Sequence, residues 1–401
     1  MITSCSAKGS YGRNPAETAS ALLNNLAEKM DGLDNIGGAM LFAGPGEGEC
    51  LARLSAEFEK AMPEAAIAAC SGSGIIGLDV NDDDHCAVSV IAMKHDGASF
   101  IPFAFNKPQL AMRGPQIEKH IYSMFKGIRP EVFFLFADSA STSVHGLLKA
   151  FSNVFPGVPV SGGVMNSATA GINQMAGFGV SHRTRVVGLA VAGSLKADVM
   201  LTHGATPVGP AFTVTRRQGA LIYELSGSAA RDGADNVLEN LPPSMKEQLE
   251  NGLFIGKLVA GKSPDTAGRG DYVIRKVRGV DHHTGAVVTN PIFETGDIAR
   301  FHLLDSRTAM EDMELLFTPH KFGNPPDGAI IFTGAARANE LFGGTGLDAK
   351  MTRELIGQKA PLAGAVCQSE IGPMAGGNYI HGYTACVTLF TKAAQNGAKL
   401  D

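Results

Sequence analysis

Residues 328–333, with the sequence GAIIFT, form an apolar run near the C-terminus that decides the fold. The run leads through a Gly-Ala-Ala-Arg turn into a helical pattern that ends near Ile356. A second apolar run, residues 360–366 (APLAGAV), follows that helical pattern. Two continuous apolar strands joined by a helix are typical of a βαβ crossover between buried parallel strands. This stretch therefore predicts an α/β fold.

Two earlier stretches have the same organisation. The first has an apolar strand at 38–43, a Gly-rich turn, a helical pattern and a second strand at 65–70. The second begins with a strand at 132–136 and continues through a helix to another strand. The second and third copies share the pattern P-φ-x-G-x-V-x-(N/Q)-S, at residues 159–167 and 361–369. The sequence thus predicts mixed sheets with helices, built from repeated strand–helix–strand units in two tightly packed halves.

Composition excludes several classes of protein. Hydrophobic residues make up 44% of the 401 residues, which is enough for a sizeable core. The net charge of −5 argues against a nucleic-acid binder, and the basic stretch at 275–278 (RKVR) alternates like a solvated strand edge. No apolar run approaches the ~20 residues that span a bilayer, and the six cysteines form no C-x-x-C pair. We expect a soluble, cytoplasmic protein that binds neither nucleic acid nor membrane.

Helix-breaking and strand-breaking residues suggest where the domains divide. Gly, Pro and Ser recur between residues 226 and 270, which is typical of a boundary. We expect an N-terminal segment (1–30), an N-terminal domain (31–225), a linker region (226–270), a C-terminal domain (271–394) and a tail (395–401).

One nucleotide-binding motif is present in the wrong context. Residues 256–263 (GKLVAGKS) match the P-loop pattern, which requires a preceding strand and a helix starting at the Lys-Ser. Pro264 follows directly, and the interior of the motif has the composition of a strand. We expect no nucleoside triphosphate to bind here. The sequence also offers no catalytic constellation and no metal-ligand spacing.

The candidate site lies in the third repeat. Arg337 follows one buried strand and Glu370 follows the next, at the edge where α/β sheets bind ligands. Arg offers a planar fork for a carboxylate and Glu receives an ammonium group, so a small zwitterion fits the pair. Alternatively, the two residues pair only with each other. The candidate ligand-binding residues are Arg337, Ser369, Glu370, Asn378, His381, Tyr383 and Asn166.

These motifs resemble a known family. Residues 328–337 (GAIIFTGAAR), 361–364 (PLAG), 369–373 (SEIGP) and 381–384 (HGYT) are similar to the C-terminal FIST domain. Residues 159–163 (PVSGG) and 208–210 (VGP) look like its N-terminal half, so the resemblance covers nearly the whole chain. Gly334, Ala336 and Ser369 depart from the Cys, Gly and Gly of the family pattern, so any role of that Cys is absent here.

The resemblance implies a function in signalling. FIST domains are regarded as sensory modules that bind small ligands, with amino acids among the candidates; some bacterial members bind haem and sense nitric oxide. This sequence contains no kinase, cyclase or F-box segment, so we expect its output to pass through a partner protein such as a kinase or cyclase. A ligand sensor is therefore the favoured interpretation. The alternatives are a haem-binding nitric-oxide sensor, with His381 as one candidate ligand, and an enzyme of unknown reaction.

Overall fold

The computed structural model describes residues 1–7, 14–44, 48–77, 87–138, 144–165, 173–177, 180–322, 325–344 and 346–392. Within these residues the chain folds as the predicted mixture of sheets and helices. The α-helices are Pro15–Met30, Gly48–Ala61, Lys107–Ala111, Pro115–Phe125, Val144–Val154, Ala230–Glu239, Pro243–Lys246, Ser306–Lys321 and Leu347–Ile356. A 3-10 helix, Glu247–Asn251, and a π-helical turn, Arg337–Leu341, complete the helical elements of the described chain.

Three sheets carry the three repeats. In spatial order, the strands of sheet 1 are Ile2–Ala7, Val88–Lys94, Ile36–Ala43, Ala66–Ser71, Asn173–Gly177 and Val180–Thr184. Those of sheet 2, in the same kind of order, are Gly377–Ile380, Ser369–Met374, Val160–Met165, Val132–Asp138, Val186–Gly193 and Ala98–Phe105. Those of sheet 3 are Leu195–Thr202, Ala385–Lys392, Gly328–Gly334, Leu362–Cys367 and Gly74–Ile76.

A fourth sheet is built from residues between the second and third repeats. Its strands, in spatial order, are Tyr272–Lys276, Phe254–Leu258, Ile298–Leu304, Ala205–Gln218, Leu221–Leu225, Ala286–Val288 and Gly279–Asp281. The short strand Ser228–Ala229 pairs with Leu221–Leu225 outside this order. All the strand pairs of sheet 4 are antiparallel within the described residues.

The three repeats have the same pairing pattern, which confirms the predicted strand–helix–strand units. In each unit a central strand pairs in parallel with the strand that follows its helix, and antiparallel with a later strand on its other side. The central strands, Ile36–Ala43, Val132–Asp138 and Gly328–Gly334, are buried along their whole length. Helices cover one face of each sheet and a common core covers the other, so these strands are continuously apolar.

The shared Pro and Gly of the repeat motif have structural reasons. The carbonyl groups of Pro159 and Pro361 accept the first cross-strand hydrogen bond from the central strand of their unit. Gly162 and Gly364 stand three residues after these prolines. A β-carbon on either glycine would overlap a carbonyl oxygen of the adjacent parallel strand. Only glycine allows this close approach of two strands, so the motif reports the packing of a repeated unit.

Equivalent phenylalanines meet where the three sheets face one another. Phe42, Phe136 and Phe332 occupy corresponding positions of the three central strands, and each is fully buried. Every pair of their rings has a centroid distance of 5.7 Å. The common core therefore has an approximate threefold arrangement, with one aromatic ring contributed by each unit.

Each unit also supplies an edge strand to another unit. Gly74–Ile76, which follows the second strand of unit 1, pairs with Leu362–Cys367 in sheet 3. Ser369–Met374, which follows the second strand of unit 3, pairs with Val160–Met165 in sheet 2. Asn173–Gly177 in turn leaves unit 2 and pairs in sheet 1. The exchange therefore closes into a cycle of three.

Two of the expected segments contain regular structure, while the expected domain division stays a prediction. Residues 1–30, expected as a separate segment, supply a strand to sheet 1 and a helix that packs on it. The region 226–270, expected as a linker, folds into sheet 4 with the helix Ala230–Glu239 against it. Its Gly and Pro residues lie at turns between short elements. The tail 395–401 lies outside the described residues.

Two further features concern motifs and membranes. The P-loop-like segment begins within the strand Phe254–Leu258, as predicted, and Lys262 forms an ion pair with Asp271 at 2.9 Å. The absence of nucleotide binding stays a prediction. In the described part of the chain, no helix combines the length and apolar character needed to cross a membrane.

Candidate functional site

Arg337 lies directly after the central strand of unit 3 and is completely buried. Its guanidinium group pairs with the carboxylate of Asp348: Nε lies 2.9 Å from Oδ2, and Nη2 lies 2.9 Å from Oδ1. This is the bidentate geometry that Arg favours for a carboxylate. Asp348 is a residue that the sequence analysis did not single out, and it occupies the fork that we expected to be free for a ligand.

The surroundings of the pair hold both charges in place. Asp348 lies in the first turn of the helix Leu347–Ile356, where a carboxylate is favoured by the helix dipole, and it accepts a hydrogen bond from Thr333 Oγ1 at 2.6 Å. Arg337 also donates to the backbone oxygen of His203, at 3.3 Å. The ring centroid of Phe342 lies 4.9 Å from the guanidinium carbon. Arg337 and Asp348 thus form a buried ion pair that further hydrogen bonds hold in place.

Glu370 is also completely buried, near this pair but not joined to it. Its Oε2 accepts hydrogen bonds from the backbone N–H of Thr384, at 3.0 Å, and from the Thr384 hydroxyl group. Burial raises the pKa of Glu370 to about 7, against the lowering effect of the Thr384 hydrogen bonds and of the Arg337 charge. Among the described residues, no ion pair joins Arg337 to Glu370. Glu370 is therefore a buried acid with no cation of the described residues in ion-pair contact, a feature that is frequent at functional sites.

His381 and Tyr383 surround this cluster without opening it. The Nε2 atom of His381 lies 3.2 Å from the backbone oxygen of Gly372, and burial lowers the pKa of His381 to about 3, so the ring is neutral at physiological pH. The Tyr383 hydroxyl group donates to Glu340, which also pairs with Lys276. His381 thus lies in the interior, and Tyr383 lies at its half-buried edge.

The remaining candidates lie along the hairpin formed by Ser369–Met374 and Gly377–Ile380. Ser369 is half-buried and pairs with Val164. Asn378 accepts from the backbone N–H of Val160 at 2.7 Å, and its amide nitrogen donates to Ser152 Oγ and to the Val158 carbonyl group. Asn378 therefore fixes the hairpin to unit 2. Asn166 lies outside the described residues.

A cleft of about 340 Å³ opens on the outer side of this hairpin. It lies between the helix Val144–Val154, one edge of sheet 4 and the strand Gly377–Ile380. Of the six candidate residues that the structure describes, Asn378 is the one that lines it. The lining residues are His145, Leu148, Lys149, Ser152, Lys257, Val273, Arg275, Ile292, Gly377, Asn378, Tyr379 and Ile380.

Arg275 is the residue of this cleft that the sequence analysis misinterpreted. It lies in an edge strand, as the alternating pattern indicated, but only 8% of its surface is exposed. Its guanidinium group donates to the backbone oxygens of Ile274, at 2.7 Å, and of Ile380, at 2.9 Å. Burial lowers the pKa of Arg275 to about 10, against the raising effect of the Glu370 charge, so the side chain is still charged at neutral pH. The hairpin covers a strand face that the local sequence predicted to be solvated.

The candidate residues that the structure describes do not form a binding site for haem or for a metal ion. An axial haem ligand needs a ring nitrogen that faces open space, whereas His381 is 2% exposed and its Nε2 contacts a carbonyl oxygen. Haem ligation through His381 therefore does not fit this structure. In the described ranges, no group of three or more His, Cys, Asp or Glu side chains is placed to hold a metal ion.

The fold and the site define an α/β protein of three interlocked units, with an antiparallel β-sheet domain and a cleft at their junction. Comparison with known protein families shows which family it belongs to. The FIST N domain matches residues 39–228, and the FIST C domain matches residues 201–373. The chain belongs to the FIST family, whose domains are associated with sensing in signal transduction.

Relatives with curated sequences come from mycobacteria. An uncharacterised protein of Mycobacterium tuberculosis is 30% identical over 263 residues, which are 65% of this chain and 68% of the relative. An uncharacterised protein of Mycobacterium bovis is 32% identical over 238 residues, which are 59% and 61% of the two chains. A solved structure described as a cyanuric acid hydrolase covers 75% of this chain and 99% of its own, at 13% identity and a TM-score of 0.27. A TM-score of 0.27 does not establish a shared fold.

The two family domains meet at the cleft. The helix Val144–Val154 lies within the matched FIST N residues, and Lys257, Val273, Arg275 and Ile292 lie within the matched FIST C residues. The strand Gly377–Ile380 follows the matched region directly. Clefts at domain junctions are the usual places where small molecules bind.

Proposed function

We propose that this chain is a small-ligand-sensing module of signal transduction, which binds an amino acid or a similar metabolite in the cleft between the helix Val144–Val154 and the C-terminal hairpin. The observation that carries the proposal is the position of the cleft, at the junction of the two FIST domains. A molecule bound there contacts a helix of one domain, a sheet of the other and the hairpin at once. Its binding energy therefore favours one relative arrangement of these elements over others, which is the physical basis of a sensor.

The residues expected to bind ligand then have different roles. Asn378 lines the cleft and contacts the ligand. Glu370 lies on the other strand of the same hairpin, and the backbone N–H of His381 donates to the Glu370 carbonyl group at 2.7 Å. The hairpin thus connects the cleft with the buried cluster of Glu370, Arg337 and Asp348. In this proposal the cluster supports the hairpin, and ligand binding in the cleft affects the cluster through the hairpin.

The size and lining of the cleft support a small, partly apolar ligand. Its volume of about 340 Å³ is at the lower end of the range for small-molecule sites. Leu148, Val273 and Ile292 supply apolar walls, while Ser152 and Tyr379 supply polar groups. This combination is typical of sites that bury an aliphatic portion of a ligand and orient it through a few polar contacts.

Filling the cleft tests the proposal. Ser152→Phe places a large ring at the lining, whereas Ser123→Phe makes the same change on an exposed helix position away from the cleft. A panel of amino acids, organic acids and related metabolites is screened by thermal shift, and hits are measured by calorimetry. We expect at least one compound to stabilise the wild type and Ser123→Phe but not Ser152→Phe. The proposal is wrong if no compound stabilises the wild type, or if Ser152→Phe binds as tightly.

We further propose that the signal passes to a partner protein such as a kinase or cyclase. A ligand that rigidifies the junction changes the surface that both domains present. The test measures the turnover of a co-purified kinase or cyclase with and without the ligand. We expect a ligand-dependent change in turnover that Ser152→Phe abolishes and Ser123→Phe retains. An identical effect of ligand in both variants would contradict transmission from this cleft.

A further inference from the structure

The charged side chains that line the cleft all carry the same sign. They are Lys149, Lys257 and Arg275, and no Asp or Glu is among the lining residues, all of which the structure describes. Lys257 is compensated by Asp297, whose Oδ2 lies 2.6 Å from its Nζ. The other two cations remain: Lys149, exposed at the rim, and Arg275, buried in the wall. The cleft therefore has a positive field that favours an anion.

Arg275 has unused hydrogen-bonding capacity. Of the five N–H groups of its guanidinium, two donate to backbone carbonyl groups, those of Ile274 and Ile380. Among the described residues, no carboxylate forms an ion pair with Arg275. By contrast, the other buried arginine of this region, Arg337, has a carboxylate in bidentate contact, that of Asp348. The Glu370 charge acts on Arg275 from beyond ion-pair distance and only partly offsets the effect of its burial. A buried guanidinium with no carboxylate in contact is costly unless an anion binds to it, and its planar fork suits a carboxylate.

From these contacts we propose that the cleft binds a short aliphatic carboxylic acid without an α-amino group, with its carboxylate on Arg275. This inference rests on the proposed sensing function and, among the amino acids and similar metabolites named there, assigns the cleft to organic acids in place of amino acids. The apolar walls receive the carbon chain. Lys149, at the rim, attracts the anion and would lie near the second carboxylate of a dicarboxylic acid.

The same field disfavours amino acids. The ammonium group of an amino acid is bound to the carbon next to its carboxylate, so it lies within a few ångströms of the Arg275 guanidinium. No lining carboxylate is present to receive it, and the repulsion by Arg275 is added to the loss of its hydration. A zwitterion needs one cationic and one anionic group in the wall, and the charged lining residues of this cleft are all cationic.

Matched pairs of ligands test the inference directly. Pentanoate and norvaline, and succinate and aspartate, differ only by the α-amino group. Calorimetry on the full chain should show that the acid of at least one pair binds at least tenfold more tightly than its amino acid. Sodium chloride should weaken the binding of the acid, since the attraction is between opposite charges.

Two variants and one control locate the carboxylate. Arg275→Lys retains the charge but loses the fork and should weaken acid binding roughly ten- to hundredfold. Lys149→Glu changes an exposed rim position, where folding is not at risk, and should weaken binding severalfold. Arg278→Lys, exposed three residues after Arg275 and outside the cleft, should leave affinity unchanged.

The outcomes separate this inference from the proposed function. If amino acids bind as tightly as their acids, and Ser152→Phe abolishes that binding, the cleft is a ligand site but the inference on its chemistry is overturned. The same conclusion follows if acids bind and neither Arg275→Lys nor Lys149→Glu weakens them. If no compound of either class binds, the proposed function fails and this inference fails with it.

Discussion

Gly334 and Glu370 share one space in the interior of unit 3. A β-carbon placed on Gly334 would overlap Oε1 of the Glu370 carboxyl group, and both residues are buried. The carboxyl group cannot retreat easily, because Oε2 is held by the backbone and side chain of Thr384. A side chain at 334 and the present position of the Glu370 carboxyl group are thus mutually exclusive.

The first prediction is that Gly334→Ala destabilises the protein by roughly 1–3 kcal/mol, the usual cost of overpacking a core. Urea unfolding measures the change in the free energy of unfolding. The control is Gly344→Ala, because a β-carbon there meets no atom within 4 Å and its stability should change by less than about 0.5 kcal/mol. If Glu370→Ala relieves the effect of Gly334→Ala in the double variant, the cause is the shared space; equal losses with and without Glu370 would contradict it.

The second prediction concerns pH. The pKa of Glu370 is raised from its ordinary value of 4.5 to about 7, so the folded protein holds this proton more tightly than the unfolded chain. The resulting stabilisation is complete below about pH 4.5 and is lost as the pH rises through 7. The free energy of unfolding should therefore fall between pH 5 and 7.5, by an amount on the order of 2 kcal/mol.

Glu370→Gln isolates this titration. The amide oxygen can still accept from Thr384, but the group no longer ionises. The difference between the stability curves of Glu370→Gln and the wild type should grow in favour of the variant from pH 5 to 7.5. Parallel curves over that interval would show that Glu370 does not titrate there.

The third prediction concerns the buried ion pair. Asp348→Asn keeps the shape of the side chain but leaves the Arg337 charge uncompensated, and should cost about 3–5 kcal/mol. Arg307→Gln breaks the exposed pair with Glu311, where the Arg307 side chain is 85% exposed, and should cost less than about 1 kcal/mol. Denaturant unfolding of both variants compares the two pairs. Similar losses in the two variants would refute the enclosed character of the Arg337–Asp348 pair.

The fourth prediction concerns the three equivalent rings of the common core. Phe42→Ala, Phe136→Ala and Phe332→Ala should each destabilise the protein by about 3–5 kcal/mol, because each removes a fully buried ring that contacts the other two. Phe322→Ala is the control, since Phe322 is 87% exposed and should change stability by less than about 0.5 kcal/mol. A small effect at only one of the three core positions would contradict their equivalence.

The repeat units were predictable because their signal is local. Each has continuous apolar strands and a helix of amphipathic spacing, and units 2 and 3 share a motif in which Gly162 and Gly364 are required by close strand packing. Sheet 4 was not predictable in the same way. Between residues 226 and 270 its elements are short and separated by Gly-rich and Pro-rich turns, so this region has the composition of a linker although it folds.

The partners of the site residues were the least predictable part. The position of Arg337 after a buried strand was clear from the sequence, but its partner Asp348 is one acidic residue of a helix with several charged neighbours. Arg275 lies on a strand whose covered face is closed by the hairpin at 377–380, about a hundred residues later. Burial that depends on such a distant segment cannot be predicted from the local sequence pattern of the strand that carries Arg275 or of the hairpin.

The cyclic exchange of edge strands determines how this molecule can come apart. Deleting any one unit removes a strand from a second sheet and leaves its own strand donor without a place to pair, so two new unpaired edges appear at once. An isolated third of the chain is therefore not a stable fragment, and the three units should unfold as one cooperative body. We expect a molecule interlocked in this way to resist cleavage by proteases, because one unit cannot open without disrupting the sheets of the other two.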